Sequence, residues 1–103
     1  MITNLKALIN MSHAGSSERP WFVYIIQTKD NTLYTGITLD IEKRLQQHRN
    51  GTGAKYLRGK TPLKLVFSLS TASRSCASKL ECKIKKLSKL QKLLFIGGSL
   101  ILE

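Results

Sequence analysis

Two stretches of the chain hold the side chains best suited to chemistry. Ile41, Arg44, Leu45 and His48 recur at offsets of three and four, the stripe an amphipathic helix presents to a core. Two of these four are Arg and His, which are costly against a core unless paired or facing a cleft. Glu81 is the only carboxylate between Glu42 and Glu103. It flanks a second apolar stripe, Ala77, Leu80, Ile84 and Leu87, and stands among Lys79, Lys83, Lys85, Lys86 and Lys89. As an ion pair with one of them it contributes only about a few tenths of a kcal/mol. As a metal ligand it fits Mg²⁺, which often takes one or two protein carboxylates and completes its octahedron with water and substrate phosphate. Tyr24 and Tyr34 lie in aromatic and β-branched runs, where each taken alone reads as a core residue. Gly36, two residues after Tyr34, leaves room for a phosphate or another backbone, or marks a bulge.

The elements that must position these residues follow from local pattern. Trp21 to Thr28 reads as a strand, Lys29 to Thr32 as a turn, and Leu33 to Ile37 as the returning strand of a hairpin. Thr38 or Asp40 caps a helix that runs to about Arg49 and stops at Asn50-Gly51. Leu63 to Ser70 alternates, with Leu63, Leu65, Phe67 and Leu69 expected on one face, and forms a third strand. Ser73 or Ser75 caps a second helix to Leu87, and Ser88 starts a short third one from Lys89 to Ile96 that Gly97-Gly98 stop. The order β-β-α-β-α-α predicts an α/β protein of α+β type. Its three-stranded antiparallel sheet cannot bury both faces alone, so helices must flank it. Residues 20–98 form the expected domain. Residues 1–19 read as a poorly ordered extension, and 99–103 as a tail too short to interpret.

Charge narrows the class of partner. The chain has 103 residues and a formal charge of +11. Residues 43–102 hold fourteen basic side chains against the single acidic Glu81, whereas residues 1–42 are nearly balanced. A one-signed field of this size attracts polyanions, and nucleic acid is their commonest form. Lys55, Tyr56, Arg58 and Lys60 share one Gly-containing loop, a mix of phosphate-binding cations and a stacking ring expected to touch nucleic acid. Cys76 and Cys82, six apart on one helix, diverge around its axis and lack metal-ligand spacing. Reduced thiols in a cytoplasmic protein are expected. No run approaches the ~20 apolar residues of a membrane span, and the N-terminus does not read as a signal peptide.

Together these residues resemble a known family. Val23-Tyr24-Ile25, then Tyr34-Thr35-Gly36, then Arg44, His48 and a distant helical Glu81 are similar to the motifs of the GIY-YIG nuclease superfamily. The likeness covers Pro20 to about Gly97 and is closest to a small single-domain bacterial branch related to the Slx-type and excision-repair nuclease domains. It implies divalent-metal-dependent cleavage of phosphodiester bonds, with DNA the expected substrate and Mg²⁺ or Mn²⁺ the cofactor. Residue by residue, Tyr24 and Tyr34 match the motif tyrosines, Arg44 the helical arginine and Glu81 the metal-binding glutamate. His48 stands where related domains carry His or Tyr. Phe22 replaces the Gly of the first motif, Thr35 the Ile of the second, and Ile37 a Lys of excision-repair members.

On this reading Glu81 holds one metal and Arg44 contacts the non-bridging oxygens. Tyr24 positions water or phosphate. Two candidates remain for the base. An imidazole ordinarily titrates at ~6.5, near working pH, which favours His48; a phenol such as that of Tyr34 needs a neighbouring cation. Two other classes stay open at this point: a non-catalytic nucleic-acid-binding module on the same fold, and a basic scaffold that binds a protein through its Lys-rich helix.

Overall fold

The computed structural model describes residues 19–102; residues 1–18 of the expected extension over 1–19, and the terminal Glu103, lie outside the described residues. Strands β1 (Trp21–Gln27), β2 (Leu33–Thr38) and β3 (Lys64–Thr71) form an antiparallel sheet in the order β2-β1-β3. Helices α1 (Ile41–Arg49), α2 (Arg74–Lys85) and α3 (Lys89–Ile96) complete the chain order β-β-α-β-α-α. The fold is α+β, as the pattern of apolar residues predicts.

The hairpin and the caps rest on local chemistry. Asn31 takes φ 65° in the β1–β2 turn, a conformation that Asn tolerates better than most residues. Around it Asp30 accepts from the hydroxyls of Thr28 and Thr32. These bonds hold the exposed Asp30 carboxyl down at about 2, with Lys60 a lesser contributor. Asp40 caps α1 by accepting from the Lys43 amide at 3.1 Å. Ser73 caps α2 through the Cys76 amide, and Ser88 with Gln91 forms a reciprocal capping box on α3. Gly51, at φ 78°, follows the α1 cap residue Asn50 and ends that helix.

Alternation along β1 divides the interior in two. Val23 and Ile25 pack with Ala77, Ile84 and Phe95 of α2 and α3. Tyr24 and Ile26 pack on the other face with Ile41 and Leu45 of α1 and with Leu57 and Leu63. The expected single face for Leu63, Leu65, Phe67 and Leu69 gives way here. A register shift opposite Ile25/Ile26 inserts Val66 as an extra residue, and a bulge of this kind resets alternation. Leu63 and Leu65 therefore join the Tyr24 layer, whereas Phe67 turns to the other face and meets Phe95 at 4.9 Å between ring centroids. β1–β2 pairing runs unbroken through Gly36, so that glycine marks no bulge. α2 ends at Lys85, two residues before the expected Leu87.

The basic loop is more structured than its composition suggests. It contains a 3₁₀ turn, Lys55–Leu57, with Leu57 fully buried beneath the Tyr24 layer. Burying a leucine in this way contributes about 1.5–3 kcal/mol, enough to pin the loop against the sheet.

Candidate functional site

The site is built outward from Tyr24. Its Cα partner across the sheet is Gly36, and its ring lies over that glycine. A Cβ at Gly36 would stand 2.5 Å from the Tyr24 hydroxyl. The close approach signalled by Gly36 is thus made by the Tyr24 ring, not by backbone or phosphate. The phenol is 3% exposed, and its hydroxyl meets His48 Nε2 at 2.8 Å.

His48 is 1% exposed. Its Nδ1 accepts the Ala54 amide at 3.2 Å, so in the neutral ring the proton sits on Nε2 and is donated to Tyr24. Burial lowers the imidazole pKa and Arg44 lowers it further, so the ring stays neutral. Neither nitrogen is open to receive a proton from water. Both ring nitrogens of the residue expected as base or water-positioner are thus engaged within the protein, where the ring is placed to orient the Tyr24 oxygen.

Arg44 lines one small cavity with Tyr24 and donates to Gln47 Oε1 at 3.1 Å. With His48 donating to its oxygen, Tyr24 keeps its own O–H free to act as a donor. The proton is held firmly. Burial, with the nearby Tyr34 and Glu81 adding, outweighs the guanidinium and pushes the phenol up to about 12.

An aromatic chain links this centre to the loop. The Tyr34 ring lies 6.3 Å from Tyr24 and meets His48 edge-on at 5.6 Å. Tyr56 stacks on Tyr34 at 6.1 Å and 20° and is 49% exposed. Lys60 Nζ sits 3.8 Å over the Tyr56 ring and 4.0 Å from Asp30. Hydrogen bonds from Thr32 and Lys60 lower the Tyr56 pKa. Arg58 donates to the Gly51 carbonyl at 3.1 Å, and Lys55 is exposed. Of the four loop candidates, Tyr56 and Lys60 thus join the tyrosine cluster, whereas Arg58 stands beside the α1 terminus and Lys55 faces solvent.

Glu81 comes from a different layer than the other four. α2, which carries it, covers the sheet face opposite the one that carries Tyr24, Tyr34 and α1. Its carboxylate nonetheless acts on Tyr24, whose phenol reaches over Gly36 in the edge strand β2. Glu81 also pairs with Lys85 at 3.1 Å and is only 19% exposed. Among the described residues no group of three or more His, Cys, Asp or Glu side chains is placed to hold a metal. One partly shielded carboxylate is a sparse oxygen donor set. It suits a hard cation that keeps most of its ligands as water and phosphate. Cys76 and Cys82 are free and exposed.

Two functional positions escape sequence reading. The Ala54 amide fixes the His48 tautomer, and Gly53 leaves room for it: a Cβ there would collide with His48 Nδ1 and stand 3.0 Å from His48 Cα. The only signal was a glycine shortly after the helix stop, which reads as ordinary loop chemistry.

Comparison with known proteins bears on the family and the fold. The family model described as the GIY-YIG catalytic domain matches residues 20–93. The UPF0213 protein YhbQ of Escherichia coli (strain K12) is 58% identical over 73 residues, which is 71% of this chain and 73% of that protein. Two solution NMR structures are similar. The UPF0213 protein BH0048 from Bacillus halodurans shares 37% identity at a TM-score of 0.51, covering 76% of this chain and 83% of its own. The protein EF2693 from E. faecalis shares 32% at a TM-score of 0.58, covering 79% and 86%. Among the described residues no helix is long and apolar enough to cross a membrane.

Proposed function

This chain belongs to the GIY-YIG family, a nuclease family, and on that footing we propose that it is a divalent-metal-dependent endonuclease acting on DNA. The observation that carries the reading is the Tyr24 hydroxyl. A buried phenol whose oxygen is held by the His48 imidazole is a fixed donor, and such preorganised donors stabilise charge that develops on a phosphate.

Hydrolysis requires water to attack phosphorus while the bond to one sugar oxygen breaks. Tyr24 donates to a non-bridging oxygen and fixes the phosphate. Arg44 pairs with the same group through its planar fork. Tyr34, beside Tyr24 and half-buried, relays the proton of the attacking water, its hydroxyl oxygen taking that proton as it passes its own to solvent. His48 touches neither water nor phosphate; it keeps Tyr24 in place. Glu81 is the residue that would hold Mg²⁺ or Mn²⁺, and such an ion supplies charge neutralisation on the phosphate and the leaving oxygen. Lys55, Tyr56, Arg58 and Lys60 bind the flanking backbone.

The test is nicking of supercoiled plasmid by the purified chain with Mg²⁺ or Mn²⁺ and with a chelator. Nicking that depends on the metal and disappears in the chelator is expected. DNA binding with no nicking in either metal contradicts the proposal and favours a binding module.

A further inference from the structure

A second basic surface adjoins the tyrosine cluster on the side away from the loop. Arg44 lines one small cavity with Tyr24 and also a groove of about 450 Å³ with Arg19, Trp21 and Lys43. Beyond Trp21 the surface continues into a hollow of about 570 Å³ bounded by Arg19, Trp21 and Arg74. The two share Arg19, Trp21 and Leu39, so they form one run along the end of the sheet. Each is within the ~300–1,000 Å³ typical of a small-ligand site. Four cations line the run. Its one carboxylate, Asp40, is already engaged by the Lys43 amide at the α1 cap. Trp21 is partly exposed within it, and the Arg74 guanidinium stands 5.4 Å from the indole centroid.

An aromatic face set among cations matches unpaired nucleic acid. Duplex presents phosphates outward and gives an indole no base to stack on, whereas a single strand offers a base face and a phosphate together. We propose that this groove is the binding track for a single-stranded arm of the substrate, with a base on Trp21 and phosphates on Arg19, Lys43 and Arg74. It rests on the nuclease reading only for what lies at its other end. Arg44 belongs to both surfaces, so a strand in the groove continues directly to the tyrosine cluster, with Tyr56 a second stacking ring beyond it. The preferred substrate is therefore DNA with an unpaired segment at the cleavage point.

Trp21 is the chain's single tryptophan, so its fluorescence reports on the groove alone. The experiment titrates the full chain, in chelator so that nothing is cleaved, with oligothymidylate and with a blunt duplex of equal length. Quenching by the single strand that exceeds quenching by the duplex is expected. The double substitution Lys43→Ala with Arg74→Ala should flatten log affinity for a labelled single strand against log salt by about 1.4, at ~0.7 per contact. Trp21→Leu should weaken that affinity by roughly fivefold to a hundredfold, the loss of one stacked base. No quenching, equal quenching by duplex, or an unchanged salt slope overturns the proposal. Absent quenching in a protein that still nicks plasmid rejects the groove and leaves the nuclease reading; quenching in a protein that never nicks does the opposite.

Discussion

Gly36→Ala tests the packing of the site with a single methyl group. The added Cβ would lie 2.5 Å from the Tyr24 hydroxyl and 2.7 Å from Cζ, where ordinary contact begins near 3.4 Å. The ring must therefore retreat by roughly 1 Å. Its hydroxyl is tied at 2.8 Å to a buried imidazole, so retreat disturbs that bond. Overpacking of this kind costs about 1–3 kcal/mol, and the lower entropy of the unfolded chain returns about 0.4–1 kcal/mol. A net loss of about 1–2 kcal/mol lowers Tm by roughly 5–15 °C in a domain of this size. A displacement of about 1 Å at a reacting group costs roughly a hundredfold in rate. The control is Gly51→Ala. That residue has φ 78° and nothing within 4 Å of a Cβ, so the substitution strains the backbone by about 1–2 kcal/mol without touching Tyr24. Thermal melting and single-turnover cleavage well below both Tm values separate the two effects. The expected result is two similarly destabilised proteins of which only the Gly36 variant is slow. A Gly36→Ala protein that cleaves within tenfold of the parent, about 1.4 kcal/mol of barrier, refutes the argument.

Three further predictions follow from the same geometry. His48→Gln should slow cleavage yet leave the acid limb of the pH–rate profile in place, whereas a His48 base predicts loss of that limb. Because burial holds the folded His48 pKa below its ordinary value, the unfolded chain binds the proton first as pH falls. This contribution to stability is intact above ~6.5 and is lost below it, so melting of His48→Gln should depend less on pH there than that of the parent. Replacing Lys55, Arg58 and Lys60 together by Ala should flatten the salt dependence of binding by about two to three units, at ~0.7–0.9 per phosphate contact; an unchanged slope removes the loop from the interface. Glu81→Gln should cut cleavage by several orders of magnitude while metal-free affinity for DNA holds or rises. Because the Lys85 pair is partly exposed, folding should change by only about a few tenths of a kcal/mol. Retained Mg²⁺-dependent cleavage within tenfold shows that Glu81 does not anchor the ion.

The order of elements was legible because periodicity, caps and turns agree locally. Asp40, Ser73 and Ser88 act as caps, and Asn31 makes the hairpin turn. The split of β3 between two faces was hidden, since a one-residue bulge at Val66 leaves no mark in an alternating string of apolar residues. In the site, Tyr24, Tyr34, Arg44 and His48 were legible as polar residues on faces that otherwise pack. The direction of each hydrogen bond was not. That His48 donates to Tyr24 follows from the Ala54 amide six residues away, and only the loop's fold brings that amide to Nδ1. The layer that carries Glu81 was also hidden, because its flanking position on α2 fixes a helix face but not the side of the sheet on which the helix packs.

The most direct measurement is single-turnover cleavage by Tyr34→Phe, run beside its equilibrium affinity for the same DNA in chelator. Phe keeps the ring that stacks on Tyr56 and meets His48 edge-on, and removes only the hydroxyl. If Tyr34 takes the proton of the attacking water, the rate should fall by roughly a hundredfold to ten-thousandfold, with affinity within about twofold of the parent. Cleavage by Tyr34→Phe at a rate within tenfold of the parent would contradict the assignment of the base and the hydrolytic mechanism built on this cluster.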